Sequence, residues 1–304
     1  MTENSSRRID DPLWKSILEQ TFSYFLQFIF TDADDVFDLA KPFDYLDKEF
    51  ESLFPPETSG KGVRYVDKLV KVFLKDGREQ FVLCHVEVQS SKGRGDLAER
   101  MFQYFYKISD RYKVPVTAIA ILADGNKNYR PQAYIQEFMG TSLRYSFNSY
   151  KILDQDESML RSNTNPFAVV VLTALLAITR RNADDDELKN IKHSLYDEMM
   201  ARNMSKYSRQ GIYDFLSHYV RFQNKENFYI FEKEVETKLG RSNIMGTREY
   251  LLDKAEKQGL ERGMERGKRE EAIAIARELK KEGLSIEFIA KTTKLTTEEV
   301  EKLK

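Results

Sequence analysis

The sequence has very few of the residues from which disulfide frameworks and zinc sites are built. Its 304 residues include one cysteine, Cys84, and three histidines. A single cysteine excludes an intramolecular disulfide, and the two counts together exclude most kinds of structural zinc site. A chain without disulfides suits a reducing compartment, and we therefore expect a cytoplasmic protein.

Long apolar runs are also missing. The longest, residues 167–178, contains a threonine and is only 12 residues long, whereas a transmembrane helix needs about 20 residues. Residues 1–10 are polar and lack the apolar run of a signal peptide. We therefore expect a soluble protein with no membrane partner, and we interpret residues 167–178 as a buried helix.

The chain as a whole has almost no net charge, but two of its segments have an excess of one charge. Lys and Arg number 48 against 49 Asp and Glu, for a net charge of -1. Residues 31–60 contain nine acidic residues and two lysines, whereas residues 61–131 contain 14 basic and eight acidic residues. A basic surface for nucleic acid is therefore expected only in the second region.

What the sequence does contain is a succession of helix and strand patterns with enough apolar residues, 41%, to form a core. A strand over 65–75 and a strand over 79–89 flank the turn signal Asp76-Gly77. A helix over 97–112 then leads to an apolar strand over 116–124, which we expect to lie parallel to the second strand. Other elements are predicted as helices over 11–30 and 43–54 and extended chain over 142–153.

The order of these elements predicts an α/β fold with a mixed central sheet flanked by helices. Residues after Asn165 are helical in pattern, with helices expected over 184–203, 211–222, 228–239, 286–292 and 297–303. We divide the chain into a core of residues 1–155, a helical extension of residues 156–245 and a charged helical tail of residues 246–304. The last two helices of the tail are typical of a small helix-turn-helix.

The hairpin carries the most informative group of polar residues. Alternation along the second strand puts His85, Glu87 and Gln89 on one face, and the antiparallel partner brings Asp67 to the same end. An aspartate and a glutamate that meet at one end of a sheet can hold Mg²⁺ through hard oxygen ligands. The alternative is a solvent-facing charged rung across the hairpin, and the pattern alone leaves both open. His85 is likewise either a neighbour of the metal ligands or an ordinary structural histidine.

Several segments of the sequence resemble one known family. They are R-x-x-D-K-L-V-K-V-x-L-K-D-G (64–77), V-L-C-H-V-E-V-Q (82–89), R-M-F-Q-Y-F-Y (100–106), D-P-L-W-K (11–15), N-P-F-A (165–168) and the glycine-bearing tail segments 259–267 and 283–287. Together they are similar to the recombination-promoting nuclease and transposase family of the PD-(D/E)XK nuclease superfamily. The resemblance implies a restriction-endonuclease-like core and DNA endonuclease activity with Mg²⁺, or with Mn²⁺ in its place. It also implies a link to recombination or mobile elements.

The resemblance assigns roles to five residues. Asp67 and Glu87 match the two acidic metal ligands of the superfamily, and Gln89 stands where a lysine is usual. Glu19 matches a glutamate that the first helix often adds to the site, although it also fits a solvated helix position. A glutamine cannot transfer a proton, but its amide can hold a water or a phosphate oxygen. Lys71, on the strand face of Asp67, is a candidate for a lysine that has moved from the usual position.

Basic and polar residues beside this site are candidate DNA contacts. Lys92 and Arg94 lie in a glycine-bearing loop, and Arg100, Gln103 and Lys107 lie on the following helix. Such side chains can contact phosphates, although the helix face is equally consistent with an ordinary solvated surface.

Three functions are consistent with these residues. The first is a metal-dependent DNA endonuclease. The second is a catalytically weakened DNA-binding or regulatory protein, and the feature that discriminates between the two is Gln89 in the place of the usual lysine, which does not by itself mean loss of activity. The third is an interaction protein of a mobile-element or defence system, with a protein partner bound by the tail. Restriction-like nucleases that cut both strands often dimerise, so a homodimer is a further expectation by analogy.

Overall fold

The structure, a computed structural model, describes residues 3–46, 66–87, 97–224 and 226–238 and, nearer the C-terminus, 272–273, 275–276, 278–280, 285–293, 296 and 300. For residues 3–11, 66–67, 84–87, 287 and 291 it describes the backbone alone. The chain forms two compact units, Met1–Val235 and Glu236–Lys304.

The N-terminal segment forms two helices where one was predicted. Helix α1 spans Glu3–Gln20 and α2 spans Phe22–Ile29. Thr21 separates them because its backbone leaves helical geometry, with φ −131° and ψ 20°, and its hydroxyl donates to the carbonyl oxygen of Ile17. A short helix α3 follows over Ala33–Val36.

The helix predicted over 43–54 is wrong at its start. Asp44–Tyr45 is a short strand, β1, whose residues pair with Lys71 and Val70 of the next strand. Pairing with a strand far along the chain is a tertiary interaction that outweighs the local helical pattern. Residues 47–54 of that expected helix lie outside the described part of the chain.

A mixed five-stranded sheet forms the centre of the first unit. Its order is β1-β2-β3-β4-β7, with β2 at Val66–Phe73, β3 at Glu79–Glu87, β4 at Val116–Leu122 and β7 at Asn148–Lys151. The β1–β2 and β2–β3 pairs are antiparallel, whereas β3–β4 and β4–β7 are parallel. Helix α4, Leu97–Tyr112, connects β3 to β4. The predicted hairpin and the predicted parallel pair are confirmed.

A second, two-stranded sheet is inserted between β4 and β7. It is a hairpin of β5, Ala133–Phe138, and β6, Thr141–Ser146. The sequence pattern indicated extended chain over 142–153 but missed β5. Most of the outer part of this hairpin is exposed on both faces, so its strands lack the polar and apolar alternation that a half-buried strand shows.

Helices follow the sheet. A 3₁₀ turn at Ile152–Asp154 leads to α5, Glu157–Ser162, α6, Phe167–Thr179, α7, Asp185–Ala201, α8, Lys206–Tyr219, and α9, Glu226–Lys238. Helix α6 is almost wholly buried, as its apolar sequence predicts. Helix α8 starts before the expected Gly211 because the Ser205 side chain caps it by accepting a hydrogen bond from the Ser208 N–H. The second unit contains α10, Ile286–Thr293, and buries Ala276, Ile289 and Val300.

The sheet is covered on both faces. Val70, Val82 and Ile119 face the main core, which contains α1, α2 and most of the later helices. Leu69, Leu83 and Ala120 face a smaller core under α4. The protein is therefore an α/β protein with a mixed sheet flanked by helices and a helical C-terminal part. In the part of the chain that the structure describes, no helix is both long enough and apolar enough to cross a membrane.

Candidate functional site

The register of the β2–β3 hairpin brings positions 67 and 87 to the same end of the sheet. Asp67 pairs with His85, and Glu87 ends β3 two residues further on. In an antiparallel pair such diagonal positions share a face, with Cα atoms about 7–8 Å apart. Backbone alternation assigns them to the face of Leu69 and Leu83, on which α4 packs. Two acidic residues therefore occupy neighbouring positions at this end of the hairpin.

The same end of the sheet is the carboxyl end of three parallel strands. Glu87 of β3 pairs with Leu122 of β4, and Leu122 pairs with Lys151 of β7. The carboxyl ends of parallel strands are where ligands most often bind in open α/β sheets. The position of the acidic residues is therefore a common one for a functional site.

A buried ion pair lies at this carboxyl end of the parallel strands. The Lys151 Nζ atom is 2.6 Å from the Asp124 Oδ2 atom, and both side chains are almost fully buried. Asp124 Oδ1 also accepts a hydrogen bond from the Asn126 N–H, at 2.8 Å. Within the described residues this is the only ion pair whose two side chains are both buried. Neither residue is among the predicted site residues, although Asp124 directly follows an apolar run, a signal that could have identified it.

Glu19 lies on the other side of the sheet from the register positions of Asp67 and Glu87. Its Oε1 atom is 2.7 Å from the Nζ atom of Lys68, a buried lysine that faces α1. The Tyr45 hydroxyl donates to the Glu19 carbonyl oxygen at 2.9 Å. Burial of the Lys68 ammonium requires an opposite charge nearby, and Glu19 supplies it. The described contacts of Glu19 are therefore this ion pair and the hydrogen bond from Tyr45, and its expected place in the metal site stays a prediction.

Lys71 is also kept away from those positions. Its Nζ atom is 2.9 Å from Asp44 Oδ2 and 3.3 Å from Glu79 Oε1. The hydrogen bond to Asp44 raises the pKa of Lys71, and Glu79 adds to the effect while partial desolvation opposes it. Lys71 is four residues from Asp67, which is about 13 Å along a strand. The candidate for a moved lysine therefore belongs to the opposite end of the hairpin.

The remaining residues of the predicted site lie outside what the structure describes. Gln89, Lys92 and Arg94 are not among the described residues, and the side chains of Asp67, His85 and Glu87 are not described either. Within the described side chains, no group of three or more His, Cys, Asp or Glu residues could hold a metal ion. The side chains of the predicted ligands Asp67 and Glu87 are not among them, so the metal site stays a prediction.

The exposed face of α4 is of mixed charge rather than basic. Gln103 and Lys107 are exposed, as expected, but Glu99 and Asp110 are exposed beside them. The Gln103 Nε2 atom donates to Glu99 Oε1 at 3.4 Å. Arg100 is half-buried, and its Nε and Nη1 atoms are shielded from solvent. The exposed face of α4, which also carries Arg111, therefore has both charges, and the expected phosphate contacts on it stay a prediction.

Comparisons of the chain with protein-family models, with curated proteins and with solved structures found no match. The class of the protein is thus defined by its own fold: an α/β protein with a mixed five-stranded sheet and acidic residues at the end of its central hairpin.

Proposed function

We propose that the protein is a metal-dependent DNA endonuclease with a restriction-endonuclease-like core. The observation that carries the proposal is the register of β2 and β3, in which Asp67 pairs with His85 and Glu87 follows two residues later. The covered mixed sheet and the helical crossover from β3 to β4 are compatible with this core. The sequence resemblance supplies the substrate class, DNA, and the link to recombination or mobile elements.

The donor set fits a hard divalent cation. Asp67 and Glu87 offer carboxylate oxygens, the ligands that Mg²⁺ prefers and Mn²⁺ accepts. When bound, such an ion polarises the scissile phosphate and lowers the pKa of a water that attacks it. In this proposal Gln89 orients the water or a phosphate oxygen through its amide, without exchanging a proton.

Neither described lysine of β2 is free to replace the usual catalytic lysine. Lys68 is paired with Glu19, and Lys71 is paired with Asp44 and Glu79. We therefore propose a site that relies on the two carboxylates and the Gln89 amide. Gln89 carries no charge at the position where a lysine is usual, and we therefore expect slower cleavage than a lysine-containing site would give.

A plasmid-nicking assay tests this proposal. We expect the protein to nick supercoiled plasmid with Mg²⁺ or Mn²⁺ and to be inactive in EDTA. Glu87→Ala should lower the rate at least about 100-fold, because it removes a metal ligand. The matched control is Glu79→Gln, at the other end of the same strand and face, where only an exposed ion pair with Lys71 is lost. Glu79→Gln should leave the rate within about twofold.

Two outcomes would contradict the proposal. Cleavage that survives Glu87→Ala would mean that the acidic site is wrongly assigned or that the activity comes from a contaminant. DNA binding without cleavage by either metal would instead support the second function, a catalytically weakened DNA-binding or regulatory protein.

A further inference from the structure

The β5–β6 hairpin presents the most exposed large apolar side chains among the described residues. Met139 is 88% exposed and Phe138 is 73% exposed, and Ile135 is exposed further down β5. Phe138 and Met139 lie together at the tip, where β5 turns into β6. Because they are exposed, these two apolar side chains at the tip of the hairpin can insert into a binding partner.

The turn at the tip holds a residue that the backbone does not favour. Met139 and Gly140 both have positive φ, 44° and 85°, the pattern of a type I′ turn. Such turns strongly prefer asparagine, aspartate or glycine at the first position, because other side chains crowd the backbone there. Methionine at this position makes the turn less stable, and its exposed side chain does not compensate by packing within the protein. A binding role for the tip agrees with both facts.

The base of the hairpin is fixed while the tip is free. The Tyr134 ring stacks on Phe102 of α4, with centroids 5.2 Å apart and planes at 12°. Tyr145, opposite Tyr134 in the hairpin, packs on Phe105 of the same helix at 4.8 Å. A ribbon anchored in this way can insert its tip without first losing entropy at its base.

The charges around the hairpin favour nucleic acid. Residues 125–147 contain three basic residues and one acidic residue, Glu137, which accepts a hydrogen bond from the Ser142 hydroxyl. Arg130, before β5, is paired with Asp154, whereas Lys127 is exposed. Arg144 is exposed, and it forms no ion pair with any described residue. The hairpin also packs on α4, the helix of the expected DNA contacts Gln103 and Lys107. A membrane surface would call for a denser group of lysines and arginines beside the tip.

We propose that the β5–β6 hairpin is a DNA wedge, whose tip residues Phe138 and Met139 insert between base pairs of a duplex. A two-stranded ribbon fits a DNA groove, and phenylalanine and methionine are among the side chains that unstack base pairs in DNA-kinking proteins. This inference rests on the proposed function, because DNA is the substrate proposed there. It adds that the protein distorts the duplex that it binds.

Fluorescence of a duplex of about 30 base pairs containing 2-aminopurine tests the wedge. In EDTA, where cleavage is excluded, binding of the full chain should raise the fluorescence through unstacking. The variant Phe138→Ser/Met139→Asn should abolish that rise and weaken binding on the order of tenfold. Asparagine suits the turn and both side chains are exposed, so circular dichroism should show an unchanged fold. The control is Met159→Gln, which removes a methionine that is 71% exposed on α5, and it should behave as wild type.

The outcomes separate this inference from the proposed nuclease activity. A rise that the double variant loses supports the wedge even if no cleavage is found with Mg²⁺ or Mn²⁺. An equal rise in the double variant, or no rise despite DNA binding, would overturn it. It would also be overturned if wild type bound no DNA, or if the double variant lost only binding to anionic phospholipid vesicles or self-association in sedimentation.

Discussion

At the scale of single residues, Lys192 of α7 has an unusual environment for a lysine. Its side chain is fully buried, and its Nζ atom donates to the Ser217 carbonyl oxygen at 2.7 Å. Its charge faces three aromatic rings, with centroids 4.2 Å away for Phe222 and 5.3 Å for Phe228 and Phe231. Desolvation by this burial lowers the pKa of Lys192 from 10.5 to about 7, against the opposing effect of Glu232 and Asp185.

This pKa makes the stability of the fold depend on pH. Between about pH 7 and 10.5 the unfolded chain holds a proton on Lys192 that the folded chain has released, so the unfolding free energy rises with pH. The slope from this one group approaches about 1.4 kcal/mol per pH unit. We expect Lys192→Met to remove that slope, so that its stability relative to wild type is greater at pH 6 than at pH 10. Urea unfolding of both proteins at a series of pH values measures the difference in their unfolding free energies. A difference that does not change with pH would contradict the lowered pKa of Lys192.

At the scale of elements, α1 and α8 pack closely against each other in the main core. Trp14 and Phe215 pack edge to face with centroids 5.0 Å apart, and the Ser208 hydroxyl donates to the Gln20 carbonyl oxygen at 2.8 Å. Gly211 faces Gln20 so closely that an added Cβ would lie 3.0 Å from the Gln20 Cβ atom. The lack of a side chain at this position of α8 therefore allows the two helices to meet.

Replacement of this glycine should have opposite effects in two backgrounds. In wild type, Gly211→Ala should destabilise the protein by about 1–2 kcal/mol, because the Gln20 side chain must move and its hydrogen bond to Ser16 is strained. In Gln20→Ala the clash is reduced, and the better helix propensity of alanine should stabilise by up to about 1 kcal/mol. Urea unfolding of the four proteins gives the coupling energy. Equal effects in both backgrounds would exclude close contact as the cause.

At the scale of the whole molecule, the chain consists of two units with separate apolar clusters. Every described member of the main core and of the core under α4 lies before residue 236. The second unit has a cluster of its own, built on Ala276, Ile289 and Val300. The stability of the sheet is therefore expected to depend little on the second unit.

Truncation after residue 246 tests this independence and the third candidate function together. The shortened chain should unfold cooperatively, with a Tm within about 3 °C of that of the main transition of the full chain. If the tail binds only protein partners, DNA binding should also be unchanged in an electrophoretic mobility shift assay. A large drop in Tm would show that the first unit needs the second, whereas lost DNA binding in a folded truncated chain would make the tail a DNA-binding element.

Patterns within short segments predicted a large part of the fold. The bounds of α4, the β2–β3 hairpin and the parallel β3–β4 pair follow from helical periodicity, from the Asp76-Gly77 turn and from the length of the crossover. β1 and β5 were missed. The two-residue β1 exists through its pairing with β2, and β5 lacks the alternation of a half-buried strand.

The sequence by itself determined which residue types are available for chemistry and which face of β3 carries His85 and Glu87, because strand alternation and turn chemistry act over a few residues. Only the tertiary structure decided the partners of the lysines. Lys68 pairs with Glu19 from 49 residues away, and Lys151 pairs with Asp124 from 27 residues away. A buried charge needs an opposite charge close to it, and the packing of helices and strands decides which residue is close enough.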